Sequence, residues 1–399
     1  MVIGSDNLNE NFQKDYALIK DVFGDRLENL LVIPGLCDVH VHFREPGFEY
    51  KETIETGSKA AARGGFTQVC TMPNLKPVPD SLKNLQPQLK KIKENSKISV
   101  YPLGSISKEQ KGKELACFEE LAPFVCGYSD DGRGVQSKEL MKKAMQEAVR
   151  LNKVIVAHCE DNSLLTPGGV VHDGVFAKTN GLDGISSGSE YSHILRDIEL
   201  LRETGAKYHV CHVSAKESVE AVRQAKKEGL DITCETAPHY LFFEDAALKN
   251  EGRFKMNPPI RSKEDRLALI EGIKDGTVDM IATDHAPHGR EEKSKGLVGS
   301  VFGIVGLETS FPVMYSYFVK SGIITLEKLL GLMVYNPIKR FNLSHNTGFS
   351  VWDVENPYCI DSSEFLSKGK ATPFEGVRVF GKNLLTVYNG EIVYKSEEF

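Results

Sequence analysis

Six groups able to hold metal ions recur along this chain in one context, the end of a short apolar run. The first run gives His40-Val41-His42, where period two puts both imidazoles on one face of a strand. A later run ends in Ser129-Asp130-Asp131-Gly132, two more end in His158 and His212, and another runs into Thr283-Asp284-His285-Ala286-Pro287-His288. Imidazole and carboxylate donors on five run ends suit two divalent ions sharing a bridge. Two such ions lower the pKa of a shared water from about 15.7 toward neutrality. One also polarises an amide carbonyl, so the chemistry implied is metal-assisted hydrolysis. Each piece alone is weak: a lone strand histidine is usually a hydrogen-bonded core residue, and an Asp after a strand is usually a helix N-cap. The common placement on five different runs carries the reading.

Strand-like and helical patterns alternate from about residue 36 to residue 290, and these must position the six groups. The strand-like runs are Leu36–Phe43, Thr67–Pro73, Ile98–Gly104, Phe124–Asp130, Val154–Glu160, Tyr208–Ser214, Ile232–Tyr240 and Val278–Pro287. Between them lie helical patterns such as Lys51–Arg63, Ser137–Leu151, Ser192–Thr204, Ala215–Glu228 and Ser262–Asp275. Such alternation implies parallel strands with right-handed crossovers. Eight runs favour a closed α/β fold, the (β/α)8 TIM barrel, whose chemistry sits at the C-terminal ends of its strands. No G-x-G-x-x-G follows the first run, so a dinucleotide fingerprint is absent. Beyond about His345 the pattern changes to short strand-like pieces, Phe349–Trp352, Gly376–Val379 and Leu384–Tyr394, the last holding the hairpin signal Asn389-Gly390. The expected division is an N-terminal segment over 1–33, a barrel over 34–344, and a C-terminal part over 345–399 that joins the first in a small satellite β domain.

The chain has 399 residues and a net charge of −6, which argues against a nucleic-acid or anionic-membrane partner. With 41% hydrophobic and 26% charged residues it reads as globular. No apolar run approaches the length of a bilayer span, and Met1 to Glu10 lacks the layout of a signal peptide. Eight scattered cysteines form no C-x-x-C pair and sit mostly in apolar runs, as small buried hydrophobes of a reducing compartment do. The expected location is cytoplasmic.

These residues carry a resemblance. Pro34-Gly35-Leu36-Cys37-Asp38-Val39-His40-Val41-His42-Phe43-Arg44-Glu45-Pro46-Gly47 is similar to the opening strand of cyclic amidohydrolases, and of type I dihydroorotases in particular. Thr71-Met72-Pro73-Asn74, Ser129-Asp130-Asp131-Gly132, Ala157-His158-Cys159-Glu160, His212-Val213-Ser214, Asn257-Pro258-Pro259 and Ala282 to His288 follow in the family's order. The resemblance implies that His40, His42 and Asp284 hold one ion and His158 and His212 the other, zinc foremost, with cobalt and manganese as alternatives. Many amidohydrolases bridge the ions with a carbamylated lysine, which this strand end lacks. The S/T-D-D-G motif supplies an aspartate instead, and Asp131 is preferred over Asp130 because it shares the parity of Ser129 and abuts Gly132. Asp38 and His285 are candidates for supporting hydrogen bonds. The segment before His40 is shorter than in the family, and the C-terminal hairpin is compressed to Thr347–Asp353, so the satellite domain should be reduced.

Cleavage of a ring amide needs an acid for the departing nitrogen, a role that falls to Asp284. Arg44, two residues past His42, offers a planar fork for a substrate carboxylate. Dihydroorotate and N-carbamoyl-aspartate carry that carboxylate; hydantoin and dihydrouracil do not. Asn74, Asn257 and His288 complete the expected substrate contacts. The implied reaction is the reversible hydrolysis of dihydroorotate in pyrimidine biosynthesis. Allantoinase, dihydropyrimidinase or hydantoinase activity is the alternative within the fold. A silent barrel acting as a partner of aspartate transcarbamoylase is the alternative outside enzymology. The resemblance also allows a homodimer, or association of the active enzyme with that transcarbamoylase.

Overall fold

Period-two alternation divides the strand residues of this protein between two cores. The computed structural model describes residues 18–24, 30–344 and 348–397. Its strands, in chain order, are β1 (Leu31–Pro34), β2 (Leu36–Val41), β3 (Phe66–Thr71), β4 (Ser99–Pro102), β5 (Gly104–Ser105), β6 (Gly127–Ser129), β7 (Val154–Ala157), β8 (Val171–His172), β9 (Gly184–Ile185), β10 (Lys207–Val210), β11 (Ile232–Thr236) and β12 (Met280–Ile281), followed by β13 (Gly348–Asp353), β14 (Tyr358–Cys359), β15 (Arg378–Val379), β16 (Lys382–Tyr388) and β17 (Glu391–Lys395). On β7, Val154 and Val156 join one buried cluster while Ile155 and Ala157 join another. The first cluster also takes Cys37, Val39, Cys70, Met72, Leu103, Cys211, Met280 and Ala282, so side chains from distant strands meet in one interior. The second contains the apolar faces of the helices, among them Ala61, Met141, Ile198 and Val222. Strands covered on both faces read as continuous apolar runs, which is why they stood out in the sequence.

The pairings among strands β2 to β12 are all parallel. One sheet has the order β2-β3-β4 and the next β12-β11-β10-β7-β6-β5. Only Leu103 separates β4 from β5, and its N–H donates to Thr71 O at 3.0 Å. At the opposite edges, Val41 forms a parallel bridge with His285 just beyond β12, and His42 N–H donates to His285 O at 2.8 Å. The intervening helices carry their own stop and start signals. Ser262 and Asp265 form a capping box at Lys263–Asp275, and Ser137 caps Lys138–Arg150 through Leu140 N.

Several strands end earlier than their apolar runs. The run to Phe43 stops at Val41, that to Ser214 at Val210, and Val278–Pro287 keeps only Met280–Ile281. The cause is local: Arg44, His212 and Asp284 take left-handed φ values of 59°, 33° and 47°, which no extended strand accommodates. The run to Tyr240 stops at Thr236 because Pro238, without an N–H, opens the helix Pro238–Phe242.

The chain ends meet in a four-stranded antiparallel sheet of order β1-β13-β16-β17, packed on Ile19 and Phe23. The Asn389-Gly390 turn joins β16 to β17, with Asn389 at φ 51° and Gly390 at φ 78°. The part of the expected N-terminal segment before residue 18 and the start of the compressed hairpin at Thr347 lie outside the described residues. Among the described residues no helix is long and apolar enough to cross a membrane.

Candidate metal and substrate site

The six groups read from the sequence converge within a few ångströms, His40 at the end of β2 and the other five just beyond strand ends. Asp131 occupies the middle. Its carboxylate oxygens lie 3.3 Å from His40 Nε2, 3.4 Å from His42 Nε2, 3.6 Å from His212 Nε2 and 3.7 Å from His158 Nδ1. Asp284 Oδ1 lies 3.2 Å from His42 Nε2 and 3.5 Å from His40 Nε2. His40, His42 and Asp284 form one group with donor atoms close enough for a single ion; Asp131, His158 and His212 form a second. All six are buried.

Asp130 faces the other way. Its Oδ1 accepts from Ile106 N at 2.8 Å and Ser107 N at 3.1 Å, and Ser107 Oγ donates to its Oδ2. Gly132 at φ 81° lets the chain leave directly after Asp131. Burial pushes the Asp130 carboxyl up to about 6. Burial acts on Asp131 and Asp284 too, but the surrounding imidazoles outweigh it and hold both below the ordinary Asp value.

The donor set fits divalent ions on the structure's own terms. His40 Nε2, Asp131 Oδ1 and His158 Nε2 are buried without a hydrogen-bond partner. His158 Nδ1 and His212 Nε2 point at each other 3.0 Å apart. Orphaned buried nitrogens and oxygens cost about 1–3 kcal/mol each, so a cluster of them marks a place where another atom belongs. The left-handed backbone at His212 and Asp284 adds strain of about 1–3 kcal/mol per residue, which persists where a site demands it.

One residue in this shell was not singled out from the sequence. Glu235, within the apolar run of β11, accepts from His40 Nδ1 at 2.6 Å, His209 Nε2 at 2.9 Å and His212 N at 3.3 Å. Burial would raise its pKa, but His40 and His209 hold it well below the usual value. A buried Glu inside a strand was the available signal, since such a group requires partners. Glu235 fixes His40 with Nε2 facing the cluster, the usual task of a carboxylate behind a metal-binding imidazole. Glu235→Gln should therefore weaken divalent-ion binding about 10- to 100-fold, measured by competition with a chromogenic chelator.

Asp38 and His285 find their partners away from the cluster's imidazole rings. Asp38 accepts from His40 N and Thr283 N, and burial raises its pKa to about 7. His285 turns toward Ser367 and Glu52, 3.4 and 3.6 Å from its Nε2. The third donor group near His40 pairs it with Asp131 and Cys211, a thiol the sequence reading treated as core filling.

The expected substrate residues lie beside this cluster. Arg44 reaches it from a left-handed turn rather than by strand parity, which ends at Val41. Its guanidinium is buried, Nε donates to Pro287 O at 3.3 Å, and Nη2 stands 3.4 Å from His288 Nε2. Among the described residues no carboxylate lies within ion-pair distance of it, and burial lowers its pKa to about 10. Glu45 pairs instead with Lys91 and caps Ile54 N, and Glu49 accepts from Gly47 N. Asn74 spends its Oδ1 on His42 Nδ1 at 2.8 Å, and Asn257 donates its Nδ2 to Glu160 Oε1 at 2.9 Å. Both therefore contact the residues around the cluster directly, each keeping one end of its amide free of these bonds.

Comparison with known proteins places this arrangement. Residues 29–218 match the dihydro-orotase-like family. The chain is 50% identical over 377 residues to a dihydroorotase of Bacillus licheniformis, covering 92% of this chain and 88% of that protein. A dihydroorotase of Fusobacterium nucleatum is 50% identical over 380 residues, covering 93% and 89%. Among solved structures, the L-hydantoinase (dihydropyrimidinase) of Arthrobacter aurescens superposes with a TM-score of 0.83 at 26% identity, over 92% of this chain and 86% of that one. The dihydropyrimidinase of Brevibacillus agri shares the fold at a TM-score of 0.80 and 21% identity, over 93% and 86%.

Proposed function

The chain belongs to the dihydroorotase family, and from that premise we propose that it catalyses the reversible hydrolysis of dihydroorotate to N-carbamoyl-aspartate. The observation that carries the substrate choice is Arg44, a buried guanidinium beside the ligand cluster with no carboxylate within ion-pair distance among the described residues. A substrate carboxylate answers that need bidentately. Hydantoin and dihydrouracil have none, although the solved neighbours of lower identity act in that class by name.

His40, His42 and Asp284 would hold one divalent ion, His158 and His212 the other, and Asp131 would bridge them, with zinc the ion best matched to this donor set. When bound, such ions supply Lewis acidity for water and for the amide carbonyl. Arg44 and His288 orient the substrate through its unreactive carboxylate, while the free Nδ2 of Asn74 and Oδ1 of Asn257 face the remaining polar edges of the ring. Asp284, kept ionised by its imidazole neighbours, accepts a proton from the attacking water. It returns that proton to the amide nitrogen as the C–N bond breaks and the carbonyl becomes a carboxyl group, which keeps the second water proton until it ionises.

We further propose that β2 to β7 and β10 to β12 close as a barrel through the Val41–His285 bridge, over residues 34–344. In the same proposal, residues 1–33 and 345–399 are assigned to the reduced satellite β domain, whose described residues include the β1-β13-β16-β17 sheet. The interior cluster drawing on β2, β3, β7 and β12 supports closure. Eight unpaired cysteines support a reducing, cytoplasmic setting.

The test is a panel of ring-opening assays on metal-loaded protein with dihydroorotate, dihydrouracil, hydantoin and allantoin. Dihydroorotate should exceed the others in kcat/KM by at least about a hundredfold, the scale of a carboxylate–guanidinium contact. Preference for a substrate without a carboxylate rejects the reading.

Direction should depend on pH with a defined sign. Ring opening creates a carboxyl group that ionises, releasing one proton, so the hydrolysis ratio rises about tenfold per pH unit above a carboxyl pKa near 4. Asp284, held below the ordinary Asp value, is ionised across this range and ready for hydrolysis, so the product carboxyl group sets the sign. Cyclisation should therefore gain on hydrolysis as the pH falls toward that carboxyl pKa. A ratio of the two that does not change with pH contradicts this balance.

A further inference from the structure

Lys51 lies outside every motif used so far, yet its ammonium meets the ring of His288. Lys51 Nζ is 3.1 Å from His288 Nδ1 and 3.0 Å from Glu292 Oε1. It also lies over the rings of Phe48 and Tyr50, 5.8 and 5.4 Å from their centroids, and Tyr50 Oη donates to the same Glu292 oxygen at 3.4 Å. Glu292 in turn is anchored by Gly289 N at 2.9 Å. The ammonium is thus pinned from several sides.

A charged lysine only donates, and so does a guanidinium. A neutral imidazole has one bare nitrogen. The contacts of Lys51 at Nδ1 and Arg44 at Nε2 therefore cannot both be hydrogen bonds to the ring. The 3.1 Å contact has ordinary hydrogen-bond length, whereas 3.4 Å lies beyond the usual range. The competing acceptor for an Nδ1 proton, Glu292 Oε2, is 3.6 Å away, too far to hold it. Burial first, then Arg44, Lys51 and Lys293, keep the ring neutral, with its pKa lowered to about 2. Gly303 at φ 122° leaves the other ring edge room, since a Cβ there would come within 2.9 Å of Nε2.

We infer that Lys51 is a positioning residue that fixes His288 in the Nε2–H tautomer, so that Nε2–H and the Arg44 guanidinium present adjacent donors to one substrate carboxylate. The inference rests on the proposed binding of that carboxylate by Arg44 and His288. It explains why two donors sit 3.4 Å apart with no acceptor between them: the acceptor is the carboxylate oxygen of the bound ring.

The experiment combines 15N NMR of histidine-labelled, metal-loaded protein with steady-state kinetics on dihydroorotate. The His288 signals are identified by their loss in His288→Gln. In the unaltered protein His288 should show a protonated Nε2 and a bare Nδ1. Lys51→Met should give mixed tautomers and raise KM about tenfold, equivalent to about 1.4 kcal/mol, with kcat changed by less than threefold and bound metal retained. Lys51→Arg, which also only donates, should keep the tautomer and most of the affinity. An Nδ1–H signal in the unaltered protein, or an unchanged KM in folded, metal-loaded Lys51→Met, overturns the inference. Absence of dihydroorotate turnover by the unaltered protein is a different failure, of the substrate reading beneath it.

Discussion

Asp131→Ala loses bound divalent metal and, with it, at least about a thousandfold in turnover. Its carboxylate is the group that touches all four imidazoles of the cluster, at 3.3 to 3.7 Å, so its removal leaves the two ligand groups unconnected. The several kcal/mol of charge stabilisation supplied by bound metal ions then disappear, and each 1.36 kcal/mol is tenfold. Asp130→Ala separates fold from chemistry. It strips the acceptor from the buried N–H of Ser107, at about 1–3 kcal/mol, and leaves that of Ile106 with Ser129 O alone. That variant should melt earlier while retaining its metal. Atomic absorption on both purified variants decides the matter: if Asp130→Ala loses the metal and Asp131→Ala keeps it, the assignment is reversed. Bicarbonate should not reactivate metal-stripped protein, because the stretch from Gly127 to Gly132 contains no lysine to carbamylate.

Arg44→Ala lowers kcat/KM for dihydroorotate by roughly 30- to 1,000-fold or more, since losing a charge-assisted partner in a desolvated site costs about 2–5 kcal/mol. Metal content should not change, because Arg44 belongs to neither ligand group. Activity on dihydrouracil, which has no carboxylate, should stay the same or improve relative to dihydroorotate. Arg44→Lys should recover little, because an ammonium is a point charge where a fork is needed. Near-normal hydrolysis of dihydroorotate by metal-loaded Arg44→Ala would mean that the guanidinium does not bind the substrate.

The parts of this protein legible in its sequence are those set by local pattern. Apolar runs such as Val154-Ile155-Val156-Ala157 announce strands covered on both faces, and the helices between them carry Ser caps and glycine stops. His40-Val41-His42 could be placed because alternation along a strand aims both rings the same way. What the pattern missed depends on long-range geometry. Glu235 meets His40 across 195 positions of sequence, and nothing near either residue foretells the contact. Strand ends were read too far because an apolar run continues through Cys211 and Ala282, while the left-handed turns at His212 and Asp284 break the ladder. Arg44 was placed beside the cluster by parity, but a turn at φ 59° brings it there. Asn74 was read as a substrate residue, and its bond to His42 Nδ1 became visible only when the strands were assembled.

The account turns on two ions held by His40, His42, Asp284, Asp131, His158 and His212, acting on a substrate oriented by Arg44. Stepwise return of Zn2+ to the metal-stripped protein, with bound metal and dihydroorotate hydrolysis followed on the same samples, tests it most directly. Activity should rise to its maximum as two ions bind per chain, and Asp131→Ala should stay inactive throughout. Full activity in metal-free protein, or at a single ion per chain with no gain from the second, would contradict it.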